Sequence, residues 1–186
     1  QASDLPKRAI EKLTRRLNGV PLALRLVAPL LGPRPRSSPR KLLRSLNQVQ
    51  KRIVALRGEH TPNTAIDAAV EVAYESLSEE LKPHYVALAV FSAPFTVEAA
   101  AAVWDVPTER AQETLDGLVL RALVDHQPGT EIYEIHHLIR LHAQELLLGQ
   151  PDRTRTLVLN YASHYLKEAL RLNAGHPTGA DASHQP

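Results

Sequence analysis

Apolar residues recur at helical spacing along nearly the whole chain, and that period breaks only once, between residues 123 and 136. Leu123-Val124-Asp125-His126 and Ile132-Tyr133-Glu134-Ile135-His136 read as short strands, joined by the turn sequence Gln127-Pro128-Gly129-Thr130. A single hairpin following a series of helices restricts the architecture severely. The sequence predicts a mostly α fold, in which a helical bundle is followed by a winged helix-turn-helix domain with one short β-hairpin. An amphipathic C-terminal helix closes the chain.

Punctuation sets the boundaries. Residues 1–57 form an all-helical unit. Its first helix spans 4–18, with Ser3 or Asp4 as cap and Pro6 in the first turn. Asn18-Gly19 stops that helix, because glycine enters the left-handed region without a Cβ penalty. Pro21 starts the next, which runs to Leu31 and should be kinked or shortened by Pro29. After a loop at 32–39, Ser38-Pro39 opens a third helix carrying Leu42, Leu43, Leu46, Val49, Ile53 and Leu56. Residues 58–65, with Gly58 and Pro62, form a linker or hinge.

The second unit spans 66–150. Ile66, Ala69, Val70, Ala73 and Leu77 form one stripe, and Ser78 with Glu79 and Glu80 reads as a helix start. Ser92-Ala93-Pro94-Phe95 breaks that helix. Thr96 caps a short one ending at Trp104, and Pro107-Thr108 begins another with Ala111, Leu115, Leu118, Val119 and Ala122 on one face. The hairpin follows, then a helix from about His137 to Leu148. Residues 151–174 form the connecting helix, whose Val158, Tyr161, Ala162, Tyr165, Leu166 and Ala169 keep helical spacing. Residues 175–186 read as a disordered tail.

Charge is divided as sharply as structure. Residues 1–57 carry fourteen lysines and arginines against Asp4 and Glu11, a net +12, whereas the remainder is −10. A solvated basic face, or docking onto the acidic unit or an acidic partner, accounts for this split. Direct nucleic-acid binding by 34–57 would lack interleaved aromatics for stacking. Cysteine is absent, which excludes disulfides and thiol catalysis and fits a reducing compartment, so a cytoplasmic location is expected. No apolar run approaches the length of a membrane span. Methionine is also absent, even at position 1, so the chain reads as a piece of something longer.

Two places draw attention as sites. The turn Asn18-Gly19-Val20-Pro21-Leu22-Ala23-Leu24 is either a tight αα-corner or a rigid proline held at a domain edge to touch something. Along the last strand, alternation turns His136 outward if Tyr133 and Ile135 pack inward, and its imidazole can donate to an anionic oxygen. His136, His137 and His142 do not share a helical face, and no cysteine or well-spaced carboxylate completes a metal set, so no metal is expected. No nucleophile–base arrangement emerges, so no catalytic residue is assigned. The helix expected to enter a DNA groove, 108–122, has Glu109, Glu113 and Asp116 against Arg110 and Arg121, the wrong sign for phosphates.

Taken together, these segments resemble the NB-ARC family of the signal-transduction ATPases with numerous domains. That family includes plant disease-resistance proteins, apoptotic-protease activators and bacterial transcription regulators. Gly19-Val20-Pro21-Leu22-Ala23-Leu24 resembles its Gly-Leu-Pro-Leu-Ala-Leu motif. Tyr74-Glu75-Ser76-Leu77 with Leu81-Lys82, Phe91 to Phe95 and Trp104 resemble the opening of its winged-helix domain. Ile135-His136-His137-Leu138 resembles the Met-His-Asp motif that closes it. The resemblance covers roughly residues 5–150.

The resemblance implies a regulatory part of a nucleotide switch. Gly19, Pro21 and Leu22 would lie at the adenine of ADP, and His136 would contact its β-phosphate. Exchange of ADP for ATP would release the winged-helix unit about the linker. It further implies a nucleotide-binding domain upstream of Gln1, a helical-repeat region after Pro186 and homo-oligomerisation on activation. The chain departs from the family in three ways. His137 stands where the motif has aspartate, Ile135 where it has methionine, and no Gly-x-x-x-x-Gly-Lys-Ser/Thr occurs. Hydrolysis by this chain alone is therefore not expected, nor is nucleotide bound by it alone. A winged-helix DNA-binding module of a transcription regulator is the alternative.

Overall fold

A computed structural model describes residues 7–31, 38–57 and 64–174. The expected cap at Ser3 or Asp4, most of the 58–65 linker and the 175–186 tail lie outside those residues. The described chain is mostly helical with one small antiparallel hairpin.

Helix α1 (Lys7–Arg16) ends two residues before the expected stop. Asn18 and Gly19 both take left-handed backbone, φ 53° and 65°. The Gly19 N–H then returns to the Thr14 carbonyl at 2.9 Å, closing the helix end. Helix α2 (Pro21–Val27) gives way to a 3-10 turn at Ala28–Leu31, because Pro29 cannot supply an α-helical N–H. In helix α3 (Pro39–Arg57) the Ser38 hydroxyl accepts from Lys41 N–H at 3.3 Å, which is the expected start. Leu13 of α1 and Leu17 just beyond its end are buried, as are Leu42, Leu46 and Val49 of α3. Leu56, expected on the same apolar face, is 79% exposed, and Ile10 of α1 is 46% exposed.

Helix α4 (Thr64–Glu75) is the central element, packed on both α2 and α3 and also on the later helix α8 (His137–Leu147). Seven of its twelve residues are buried. One apolar core consequently runs without interruption from Leu13 to Leu157. The chain then continues through α5 (Leu81–Ala87), α6 (Val97–Trp104) and α7 (Thr108–Val119). Helix α5 begins three residues beyond Ser78, whose carbonyl accepts from Leu81 and Lys82 N–H. Thr96 caps α6 as expected, accepting from Ala99 N–H at 3.4 Å. Helix α7 stops at Val119, and Ala122 lies outside it at φ 57°.

The hairpin is shorter than the alternation predicts. Strands β1 (Asp125–His126) and β2 (Tyr133–Glu134) pair Asp125 with Glu134 and His126 with Tyr133. The free edge of β2 is taken by Phe95, which exchanges two hydrogen bonds of 2.9 and 2.8 Å with Tyr133. Phe95, read from sequence as part of a break, is thus a third pairing residue. Its ring stacks on Phe91 with centroids 4.1 Å apart, and both rings are buried. Their contact anchors the break itself in the core.

The final helix α9 (Pro151–Ala174) departs from expectation. Its one buried residue is Leu157, while the predicted stripe lies largely in the open, with Val158, Tyr165 and Leu166 at 49%, 37% and 61% exposed. At about 1.5 Å per residue this helix outruns the body beneath it. Its packing is chiefly onto the much shorter α6, with lesser contact to α8 and to the 3-10 turn at Leu88–Val90. Among the described residues no helix is long and apolar enough to cross a membrane.

Candidate functional site

The first marker sits at the start of α2. Val20 holds the N-cap position with extended backbone (φ −67°, ψ 118°) and Pro21 occupies the first turn, where its missing N–H has no helical role. Gly19 and Pro21 are exposed and Leu22 is half-buried. A Cβ built on Gly19 would meet nothing within 4 Å, so the turn requires glycine for its dihedral and not for space.

The second marker is placed differently from its strand-based expectation. His136 is the N-cap of α8, with φ −60° and ψ 135°. Its Nδ1 accepts from Leu138 N–H at 3.2 Å. That bond requires an unprotonated Nδ1, which leaves the proton on Nε2 and makes Nε2 a donor toward solvent or ligand. His136 is exposed because it begins a helix at the surface. It lines a groove of about 310 Å³ with His137, Arg140, Glu134 and the Phe91–Pro94 segment.

Arg140, which sequence reasoning passed over, shapes this groove. One of its terminal nitrogens donates to the carbonyls of Phe91 and Ser92, at 3.3 and 3.1 Å. Its Nε is buried without a hydrogen-bond partner. The position follows helical spacing, four residues after the cap, which was the one available signal. Glu134 contributes the opposing charge on the groove wall.

Helix α2, which carries the first marker, is tied to the hairpin that precedes the second. Arg25, one turn beyond Pro21, forms a forked ion pair with Asp125 of β1, at 2.9 and 3.0 Å. Both side chains are nearly half exposed, so the pair orients α2 against the hairpin more than it stabilises it. Neither Gly19 nor Pro21 lines the groove at His136.

A partly buried polar chain, separate from the groove, links four helices and has no counterpart in the sequence reading. The Glu71 carboxylate on α4 accepts from His142 Nε2 on α8 at 2.8 Å and from Arg52 on α3 at 2.7 Å. His142 Nδ1 meets the Tyr85 hydroxyl of α5 at 2.8 Å. His142 lowers the Glu71 pKa by hydrogen bonding and charge, with Arg52 adding to this, against burial that raises it. Burial pushes the Tyr85 phenol well above its ordinary value, so it stays a neutral hydrogen-bonding group. His142 is therefore committed to packing, away from His136 and His137. Among the described residues no group of three or more potential ligands could hold a metal.

The solvent side of α7 carries Glu109, Glu113 and Asp116 against Arg110. Arg110 is engaged by Glu113 at 3.0 Å and by Glu80 at 3.6 Å. This face repels a phosphate backbone. No protein-family model matches the chain, and no curated protein matches it.

Proposed function

We propose that the chain is the regulatory portion of an NB-ARC-type nucleotide switch, in which a helical unit and a winged-helix unit close on ADP. The observation that carries this reading is His136. An exposed cap histidine, fixed as the Nε2–H tautomer beside Arg140 and the N-terminus of α8, presents a donor set suited to a phosphate oxygen. The order α5, Phe95 pairing, α6, α7, hairpin supports the winged-helix assignment, since its strands close on the helices in that sequence. The Arg25–Asp125 pair supports closure of α2 against the hairpin.

In this reading Gly19, Pro21 and Leu22 lie along the adenine, and His136 holds the β-phosphate. The nucleotide-binding domain would be supplied from upstream, a helical-repeat region would follow, and activation would bring copies together. ADP contributes the bridging charge; the chain's own residues orient it and hold the two units in one arrangement.

The test is ADP release from the protein together with its upstream segment. His136→Asn retains an N-cap acceptor but loses the imidazole donor. Loss of a hydrogen bond to a charged group of about 1.5–3 kcal/mol corresponds to roughly 10- to 150-fold faster release. Unchanged release in that variant refutes the assigned role. The alternative, a DNA-binding module, is favoured by the helix–helix–hairpin order alone and opposed by the acidic α7 face. Sequence-dependent DNA binding by residues 64–150, followed by fluorescence anisotropy at two salt concentrations, would decide for it.

A further inference from the structure

We infer that the exposed face of α9 is the seam of a two-fold dimer, in which two copies of this chain pair their α9 helices antiparallel. Val158, Ala162, Tyr165 and Ala169 recur at spacings of four, three and four, and all of them are exposed. That alternation is the seam of a two-helix coiled coil, so the face calls for another helix. Leu159, Leu166 and Leu170 widen it. No lysine, arginine, aspartate or glutamate occurs between Thr156 and Leu166.

The order of side-chain sizes identifies the second helix as a copy of the first. Along the seam, bulky and small residues alternate: Val158, Ala162, Tyr165, Ala169. Read in the opposite direction, the same seam runs small, bulky, small, bulky. Antiparallel pairing therefore sets Val158 over the partner's Ala169 and Ala162 over the partner's Tyr165, so each layer holds one bulky and one small side chain. Parallel pairing would stack tyrosine on tyrosine and leave a gap at each alanine. Outside the described residues the sequence has one large hydrophobic side chain, Leu5, so those segments lack the apolar residues to cover this face.

The body of each copy offers a place for the other's late turns. A groove of about 550 Å³ lies between the end of α8 and the early turns of α9. It is lined chiefly by Ala89, Val90, Leu147, Leu148, Val158 and Tyr161, and no charged residue lines it. Leu148 is 83% exposed. In the antiparallel register the partner's Leu166 falls opposite Tyr161, at this groove, and the two-fold axis repeats the contact. Burying a leucine-sized side chain in full removes about 60–120 Å² from water. The half-exposed bulky residues here thus supply about 300 Å² of apolar area per copy, or about 1,000 Å² in all with a polar rim. That is the low end of specific interfaces, so the dimer should be reversible, with a Kd of about 10–100 μM.

This inference does not rest on the nucleotide reading, and the 186-residue chain itself tests it. Sedimentation velocity from about 5 to 500 μM, a range that brackets the expected Kd, should show a monomer–dimer equilibrium. Ala162→Glu and Leu166→Glu alter exposed helical positions, and circular dichroism checks that both fold. Each should weaken the dimer by about tenfold or more. Because the chain has no cysteine, paired variants report orientation. Val158→Cys and Ala169→Cys, mixed under mild oxidation, should give a disulfide-linked dimer. Neither should do so alone, because identical positions then lie about 16 Å apart along the seam, beyond disulfide reach. A chain that stays monomeric to about 500 μM overturns the proposal and leaves the face to an unlike partner. A dimer untouched by Ala162→Glu, or disulfides formed by each cysteine variant alone, would overturn it equally.

Discussion

Glu71→Gln most directly weighs the polar chain that joins α3, α4, α5 and α8. The carboxylate is a quarter exposed and accepts from His142 at 2.8 Å and Arg52 at 2.7 Å. A hydrogen bond to a charged group contributes about 1.5–3 kcal/mol when shielded, and glutamine keeps one acceptor oxygen, so part survives. The Arg52 contact is half exposed and adds only about 0.2–1 kcal/mol. The net expectation is a loss of about 1–2 kcal/mol near neutral pH. Urea denaturation followed by circular dichroism measures it.

Acid supplies a second readout. The Glu71 carboxyl titrates below its ordinary value in the folded chain, chiefly through the His142 hydrogen bond. The unfolded state therefore binds this proton more readily, so the contribution is fully present above the unfolded carboxyl pKa. It is lost as pH falls through the lower folded value. The wild type and Glu71→Gln should thus converge in stability as the solution is acidified through that window. Equal stability at neutral pH, or a gap that persists in acid, would refute the network as a stabilising element.

Further outcomes are expected from single residues. Ala122→Gly relieves a left-handed alanine and should stabilise the chain by about 1 kcal/mol, read from the urea midpoint. Phe95→Ala removes a buried ring stacked on Phe91 and should cost about 3–5 kcal/mol, with the hairpin amides losing hydrogen-exchange protection first. Asp125→Asn breaks a half-exposed ion pair and should cost under about 1 kcal/mol, an effect that disappears at high salt. Thr96→Ala should cost about 0.5–1 kcal/mol, because its capping contact is long.

The sequence by itself determined the helix breaks and starts, because these are set by the residue at hand. Asn18-Gly19, Pro21, Pro29, Ser38 and Thr96 act through their own dihedrals, missing donors or side-chain oxygens, and each acts within a turn of its position. The hairpin was legible for the same reason, through its turn and its alternation. Only the tertiary structure decided which of these elements share partners. Phe95 reads locally as a break and becomes a pairing residue because Tyr133 offers it an open edge. Glu71 and His142, separated by 71 positions, meet because α4 and α8 pack together, a contact no periodicity encodes. The stripe on α9 has the spacing of a core face yet stays in the open, since periodicity says which side of a helix is apolar but not whether a neighbour is long enough to cover it.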